Sequence, residues 1–364
     1  MYAYFLMLFN GDGIETNKEN AIYYLKMAAD RGHLIAIYTF ANFLYKGDYI
    51  TLSKENASIY YKMAADKNHV YAMFKYGSML LNGDGIQCNI NEAIKYLKLA
   101  ADKGNVESMY KYAQILSNKE ENECKEEAKI YYKLAADKKH VKSMYEYASM
   151  LMNNEGDQEE IKRYFKMAAD RGHIESIVKI SQNLSKEENC KEESCRYMKM
   201  AADNGHVDSM HNYAIVLYNG EGVRADKEEA SRYYKMAADL GHVESMYDYG
   251  VMLFKGDGIC TDKEVASQYL KKAADLGHID AMNNYSYMLY SGEGIPMNKE
   301  EACKYIKMAA DAGDVDDMYN YAAMLYKGDG IDVDKKEACK YFKMASERGN
   351  VNAMYNFCFD ARCW

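Results

Sequence analysis

The sequence predicts an all-α fold, an α/α solenoid wound as a right-handed superhelix from about ten helix-turn-helix repeats. Three observations predict it. The tripeptide Ala-Ala-Asp recurs with its aspartate at Asp30, Asp66, Asp102, Asp137, Asp170, Asp203, Asp239, Asp275 and Asp311, and a degenerate copy, Ala345-Ser346-Glu347, closes the series. The spacing is 36 residues over most of the chain and falls to 35 and 33 in the middle; a fixed period of this size marks an array of stacked units. Each unit carries two stretches of helical periodicity, and no strand-like alternation of period two occurs. The composition agrees. One proline in 364 residues excludes collagen-like and proline-rich chains, and 49% apolar with 13% aromatic residues is too rich for disorder.

Each first helix follows the pattern of residues 281–290, where Ala281, Tyr285, Met288 and Leu289 form one stripe at helical spacing. Gly292-Glu293-Gly294-Ile295 then stops the helix, since glycine takes positive φ without penalty. The second helix is expected to open on a capping side chain: Asn17, Ser53, Asn89, Asp157, Asp226, Asp262, Asn298 or Asp334. Acidic residues such as Glu228 and Glu229 follow in its first turn, where they complement the helix dipole. Its body reads Ala230, Tyr233, Tyr234, Met236, Ala237 and Ala238, with small alanines for close helix approach, and a turn such as Gly241-His242 leads to the next repeat.

Residues 1–10 align as a first helix lacking its opening residue. Their apolar character is therefore packing rather than a signal peptide, since no basic residues precede them and no cleavage site follows. A start inside a helix leads to the expectation of a truncated larger protein or of a missed upstream region. The expectation is a single array over 1–364, with a lone final helix at 353–361. The repeats over about 108–203 diverge: they lose the glycine turn, and Cys124 and Cys190 stand where capping residues are expected. Their shorter loops predict altered curvature between about residues 117 and 190.

These motifs resemble the Sel1-like repeat family, relatives of the tetratricopeptide repeats. The resemblance rests on an Ala-x-x-x-Tyr-Ala-x-Met-Leu-Tyr first helix, a Gly-Asp-Gly-Ile loop, an Asp-Lys-x-x-Ala-x-x-Tyr-x-x-x-Ala-Ala second helix and a closing glycine, and it covers almost the whole chain. Tyrosine stands where the family usually has leucine in the first helix, and alanine or serine often replaces its glycine. The resemblance implies a non-catalytic scaffold or adaptor that binds proteins or peptides, without a cofactor. The alternative is a regulatory or substrate-recruiting segment of a larger enzyme, a kinase or a ubiquitin-ligase or quality-control component. By the same resemblance a concave groove would receive Tyr38, Tyr45, Phe74, Leu81, Tyr110, Tyr145, His211, Tyr218, Tyr247, Phe254, Tyr287, Tyr290, Tyr319 and Tyr326. Half-buried aromatics of this kind serve as binding anchors. In the divergent middle the same face carries Val178, Gln182 and Ser185.

A net charge of −9 argues against a nucleic-acid partner, and no window is apolar enough to span a membrane. Nine cysteines without a CxxC pair or a signal peptide read as free thiols in the cytoplasm. Cys303 and Cys339, one repeat apart, read as small packing groups. Seven of the eight histidines share one repeat position: His33, His69, His140, His173, His206, His242 and His278. Stacked helix layers are roughly 10 Å apart, too far for two such rings to share a zinc ion at ~2 Å, so no metal is expected. They read as rings packed at the turn and bonding backbone. Gly83-Asp84-Gly85 and Gly328-Asp329-Gly330 lack the lysine and hydroxyl of a phosphate loop and the ligand spacing of a calcium loop. Lys227 and Arg232 are read as the solvent side of a second helix.

Overall fold

The computed structural model describes residues 1–153, 156–186 and 190–354. Ten helices run through the first half: α1 (Tyr2–Asn10), α2 (Lys18–Asp30), α3 (Leu34–Lys46), α4 (Lys54–Asp66), α5 (Val70–Asn82), α6 (Ile90–Asp102), α7 (Val106–Ser117), α8 (Asn122–Asp137), α9 (Val141–Asn153) and α10 (Gln158–Ala169). Ten follow: α11 (Ile174–Leu184), α12 (Lys191–Asp203), α13 (Val207–Asn219), α14 (Lys227–Asp239), α15 (Val243–Lys255), α16 (Lys263–Asp275), α17 (Ile279–Ser291), α18 (Lys299–Ala312), α19 (Val315–Lys327) and α20 (Lys335–Glu347). There is no strand among the described residues. Odd-numbered helices are the first helices of repeats and even-numbered ones the second. The final helix expected at 353–361 falls mostly outside the described residues, of which 351–354 are helical.

Contacts cluster into two compact units, Met1–Ser176 and Ile177–Trp364. The division falls inside α11, within the stretch where the repeat pattern diverges. The loops there depart from the sequence reading at one point. Cys124 caps nothing: α8 begins at Asn122 with Glu121 as its N-cap, so Cys124 lies inside an early-starting helix of 16 residues. Cys190 does occupy the N-cap of α12, and its side chain makes no capping bond. Parts of the loops at 153–156 and 185–188 lie outside the described residues.

Every expected second-helix cap is in place. Asn17, Ser53, Asn89, Asp226, Asp262, Asn298 and Asp334 each accept from the amide three residues on, and Asp157 from the amide two residues on. The shared histidine position turns out to be the matching cap of the first helix. Nδ1 of His33, His69, His206 and His278 accepts from the amides of Ala36, Ala72, Ser209 and Ala281 at 3.1–3.2 Å. His140, His173 and His242 do the same with Ser143, Ser176 and Ser245. Asn105, Asp314 and Asn350 take over where histidine is missing. An accepting Nδ1 places the proton on Nε2 and requires a neutral ring.

Successive repeats within each unit are joined by three polar ladders over an alanine-rich core. In the first, a second-helix tyrosine donates to the Ala-Ala-Asp carboxylate of the repeat before it. Tyr60, Tyr96 and Tyr164 reach Asp30, Asp66 and Asp137 at 2.6–2.8 Å, and Tyr131 reaches Asp102. In the C-terminal unit Tyr233, Tyr269, Tyr305 and Tyr341 reach Asp203, Asp239, Asp275 and Asp311 at 2.5–2.7 Å. Burial and the accepting carboxylate hold Tyr60 and Tyr233 up at about 12. Each of these rings meets an aromatic of its own repeat edge-on, as Tyr285 and Tyr305 do at 4.9 Å. In the second ladder, Lys62, Lys98, Lys133, Lys199 and Lys271 pair with Glu92, Glu127, Glu160, Glu229 and Glu301 of the next repeat. Val265 stands where such a glutamate would be, and Lys235 turns instead to Asp239 in its own helix.

The third ladder uses the glycine loops. Lys54, Lys227 and Lys299 bond Asp84, Asp257 and Asp329 of the following Gly-Asp-Gly loop at 2.6–2.8 Å, and Lys263 bonds Glu293 at 2.7 Å. These lysine bonds hold all four carboxyls below their ordinary values. Lys227 is therefore part of a joint between repeats, contrary to the solvent-facing reading; Arg232 is exposed and pairs only with Glu228 of its own helix. The second glycine of the loop has a spatial reason as well as positive φ. A Cβ on Gly258 would stand 2.2 Å from Cβ of Lys227.

Two outcomes follow. Tyr305→Phe should cost about 1–2 kcal/mol in urea unfolding, because it removes a buried donor to a carboxylate and leaves the ring packing intact. Burial lowers the basicity of His69, His140 and His173 below the ordinary value near 6.5. A histidine depressed in the fold contributes stability that is full above its unfolded value and lost as pH falls through the folded one. The melting temperature should thus drop between about pH 7.5 and pH 5.5, and His69→Asn, which caps without titrating, should make that drop smaller.

Candidate binding face

The residues expected to line a groove occupy three positions of the first helix, and the structure gives each position its own surroundings. The first holds Tyr38, Phe74, Tyr110, Tyr145, His211, Tyr247 and Tyr319, all half-buried. The ring here lies on the histidine cap of the next repeat: Tyr38 on His69 at 4.3 Å and Tyr247 on His278 at 4.5 Å, both stacked. Tyr110, Tyr145 and His211 meet His140, His173 and His242 at 4.6–4.9 Å, tilted. Phe74 and Tyr319 precede asparagine caps; Phe74 packs against the core, and Tyr319 lies 5.7 Å from Phe342.

The second position holds Tyr45, Tyr218, Phe254, Tyr290 and Tyr326, each with the lysine that opens the following helix over its ring at 4.5–5.5 Å. Tyr45 and Tyr290 donate to Asp84 and Asp329 at 2.6 Å, and Tyr218 donates to Asp257. Tyr287 alone fills the third position with an aromatic, and it is 55% exposed. Tyr290 and Tyr326, at 39% and 37%, are the most open of the rest.

The fourteen residues, with Leu81 at the second position, thus do not converge on one site. Within the C-terminal unit the structure does bring some of them together. Tyr247, Phe254 and Tyr287 line a cavity of about 160 Å³, and Tyr287 and Tyr290 line a larger one of about 450 Å³ between α17 and α19. No three histidine, cysteine or acidic side chains gather as a metal site would require, among the described residues. The seven described cysteines are free thiols, and burial pushes Cys303 up to about 11; Cys358 and Cys363 lie outside the described residues.

A model of the Sel1 repeat matches residues 1–33, 41–69, 70–105, 106–140, 141–173, 187–206, 207–242, 243–278, 279–314 and 315–350. The chain belongs to the Sel1 repeat family. Proteins built from Sel1 repeats are typically protein-interaction scaffolds. Among solved structures, a protective antigen of uropathogenic Escherichia coli displaying an SLR fold aligns over 100% of this chain and 79% of its own, with a TM-score of 0.75 and 20% identity. A Sel1 repeat protein from Oxalobacter formigenes covers 96% of this chain and 92% of its own, with a TM-score of 0.46 and 20% identity. At such identity the likeness of the first is one of fold. No curated protein matches in sequence. No helix among the described residues is long and apolar enough to cross a membrane.

One Sel1 repeat breaks its own pattern. From α3 to α17 the third residue of each first helix is small and buried: Ala36, Ala72, Ser108, Ser143, Ser176, Ser209, Ser245 and Ala281, with Ala353 at the end of the series. In α19 it is Asp317, only 5% exposed. The repeat before it has Asn283 in place of the stacking aromatic, and the cap is Asp314 rather than histidine. Sequence reading by helix face missed this site; reading down the repeat column finds it at once. Asn320 Nδ2 lies 3.4 Å from Asp317 Oδ1, whereas Oδ2 and the buried Oδ1 of Asn283 have no partner. Burial pushes the Asp317 carboxyl up to about 6, with Asp314 and Asp316 adding and the amides of Asn320 and Asn283 opposing.

An acid raised in the fold from about 4 to about 6 adds no cost below the lower value and its full cost above the upper one. Asp317→Ala should therefore raise the unfolding free energy in urea at about pH 8 by an amount on the order of 1–2 kcal/mol, and change it little at about pH 4.

Proposed function

We propose that the chain is a non-catalytic scaffold that holds segments of other proteins along the open face of its first helices. The carrying observation is the aromatic series on that face. Rings at Tyr38, Tyr247, Phe254 and Tyr290 are only half covered by histidine or lysine of the neighbouring turns, and two cavities open beside them in the C-terminal unit. Large rings already fixed by stacking lose little freedom on binding, which suits them as anchors. The non-catalytic reading is supported by the fate of the charged groups. The loop carboxylates and lysines most suggestive of a site recur from repeat to repeat and bond one another across the joints. Free thiols fit a reducing compartment, so we place the scaffold in the cytoplasm.

Tyr247→Ala with Phe254→Ala should weaken a captured protein partner by more than about 2 kcal/mol, as loss of paired aromatic anchors does. Glu228→Ala with Arg232→Ala, an exposed pair on α14, is the control and should leave binding unchanged. Affinity capture with mass spectrometry, then titration of the retained protein against each variant, makes the comparison. Equal binding by the aromatic variant, with its helix content intact by circular dichroism, would refute the face.

A further inference from the structure

The cavity between α17 and α19 has an unmet chemical demand. It measures about 450 Å³, and its lining includes Asn283, Ser286, Tyr287, Asp317, Asn320 and Met324. Two of the residues that line it, Asp317 and Asn283, each carry a fully buried oxygen, Oδ2 and Oδ1, that has no donor and lies just beneath the cavity wall. Leaving such atoms unpaired in a native fold carries the full desolvation penalty. A carboxylate where every other repeat has alanine or serine marks a place where stability is given up for something else.

We propose that this cavity receives the basic side chain, arginine or lysine, of an extended partner segment. The demand is for hydrogen-bond donors with positive charge, and the two orphan oxygens would supply charge-assisted acceptance. Charges around the cavity agree with that sign. Asp329 is neutralised by Lys299 at 2.8 Å, and Asp316 accepts from Asn350 at 3.0 Å. Asp316 and Asp317 then outweigh Lys327, which is exposed at the rim. Tyr287, with 55% of its surface open, offers a ring face over which a guanidinium or ammonium can pass on its way in. The volume is that of a small-ligand site and admits a long side chain with the backbone that carries it.

The inference rests on the reading of this face as a partner surface, but its test needs no natural partner. Acetylated, amidated pentapeptides with a central arginine, lysine or citrulline in glycine are titrated into the full chain, and binding is read by calorimetry and by the methyl signal of Met324. The arginine and lysine peptides should bind and move Met324, and the neutral citrulline peptide should bind at least tenfold more weakly. Asp317→Ala restores the residue of the other repeats and should keep the fold while losing at least tenfold in affinity; Asp317→Asn, of nearly the same shape, should lose affinity too. Citrulline binding as tightly as arginine, undiminished binding by Asp317→Ala, or a silent Met324 would each overturn the proposal. Tyr247 and Phe254 lie outside this cavity, so its failure leaves the test of the wider face standing.

Discussion

The hydroxyl of a second-helix tyrosine bonded to the aspartate one repeat behind is the contact on which the other joints depend. A helix pair with one apolar stripe cannot cover that stripe itself and must be covered by its neighbour. Alanines bring the helices close, but alanine is nearly featureless and leaves register along the axis poorly defined. The tyrosine–aspartate bond removes that freedom at a helix C-terminus, and the ring behind the hydroxyl meets the first helix edge-on. With register fixed there, the lysine that opens α4, α14, α16 and α18 falls opposite the next loop acid. Exposed lysine–carboxylate pairs contribute little individually, so their part is to favour one alignment over its slipped alternatives.

Most of this architecture was legible because it repeats. Ala-Ala-Asp gave the period, and capping residues and glycine pairs gave the ends of nearly every helix. What stayed hidden was the purpose of the landmarks. The aspartate of Ala-Ala-Asp is the acceptor of a bond whose donor lies 30 residues later, a distance no local pattern reports. The histidines were read as turn residues bonding backbone, and they are; that the bond is a helix cap stayed hidden because capping through Nδ1 is rarer than capping by asparagine or aspartate, and Asn105, Asp314 and Asn350 in the same column carried the signal. Cys124 misled for a different reason. Glu121 starts α8 early, so counting back from the alanines placed the cap inside the helix.

The candidate face was legible only in outline. The resemblance put Tyr38, Tyr247 and Tyr290 in one groove; the structure gives Tyr38 and Tyr247 one position of the first helix and Tyr290 another, each with its own covering neighbour. The resemblance could not show that the histidine of the following turn covers one ring surface, or that a lysine covers another. The cavity beside Asp317 arises from three substitutions that are unremarkable singly. Asn283 removes a stacked ring, Asp314 removes the histidine beneath it, and Asp317 puts charge into the space. Only their adjacency across a joint turns them into a feature.

The ladders also bear on how such a chain changes length. Each repeat offers acceptors on one side and donors on the other, in the same register at most joints. Deletion of residues 279–314 would pass Lys263 from Glu293 to Asp329 and Asp275 from Tyr305 to Tyr341, leaving no orphan in either ladder. A cut that is not a whole number of repeats would strand both. The gene can therefore gain or lose whole 36-residue modules by recombination between like sequences without rewriting a single joint, and what such an event erases is the odd joint, where Asn283 faces Asp317.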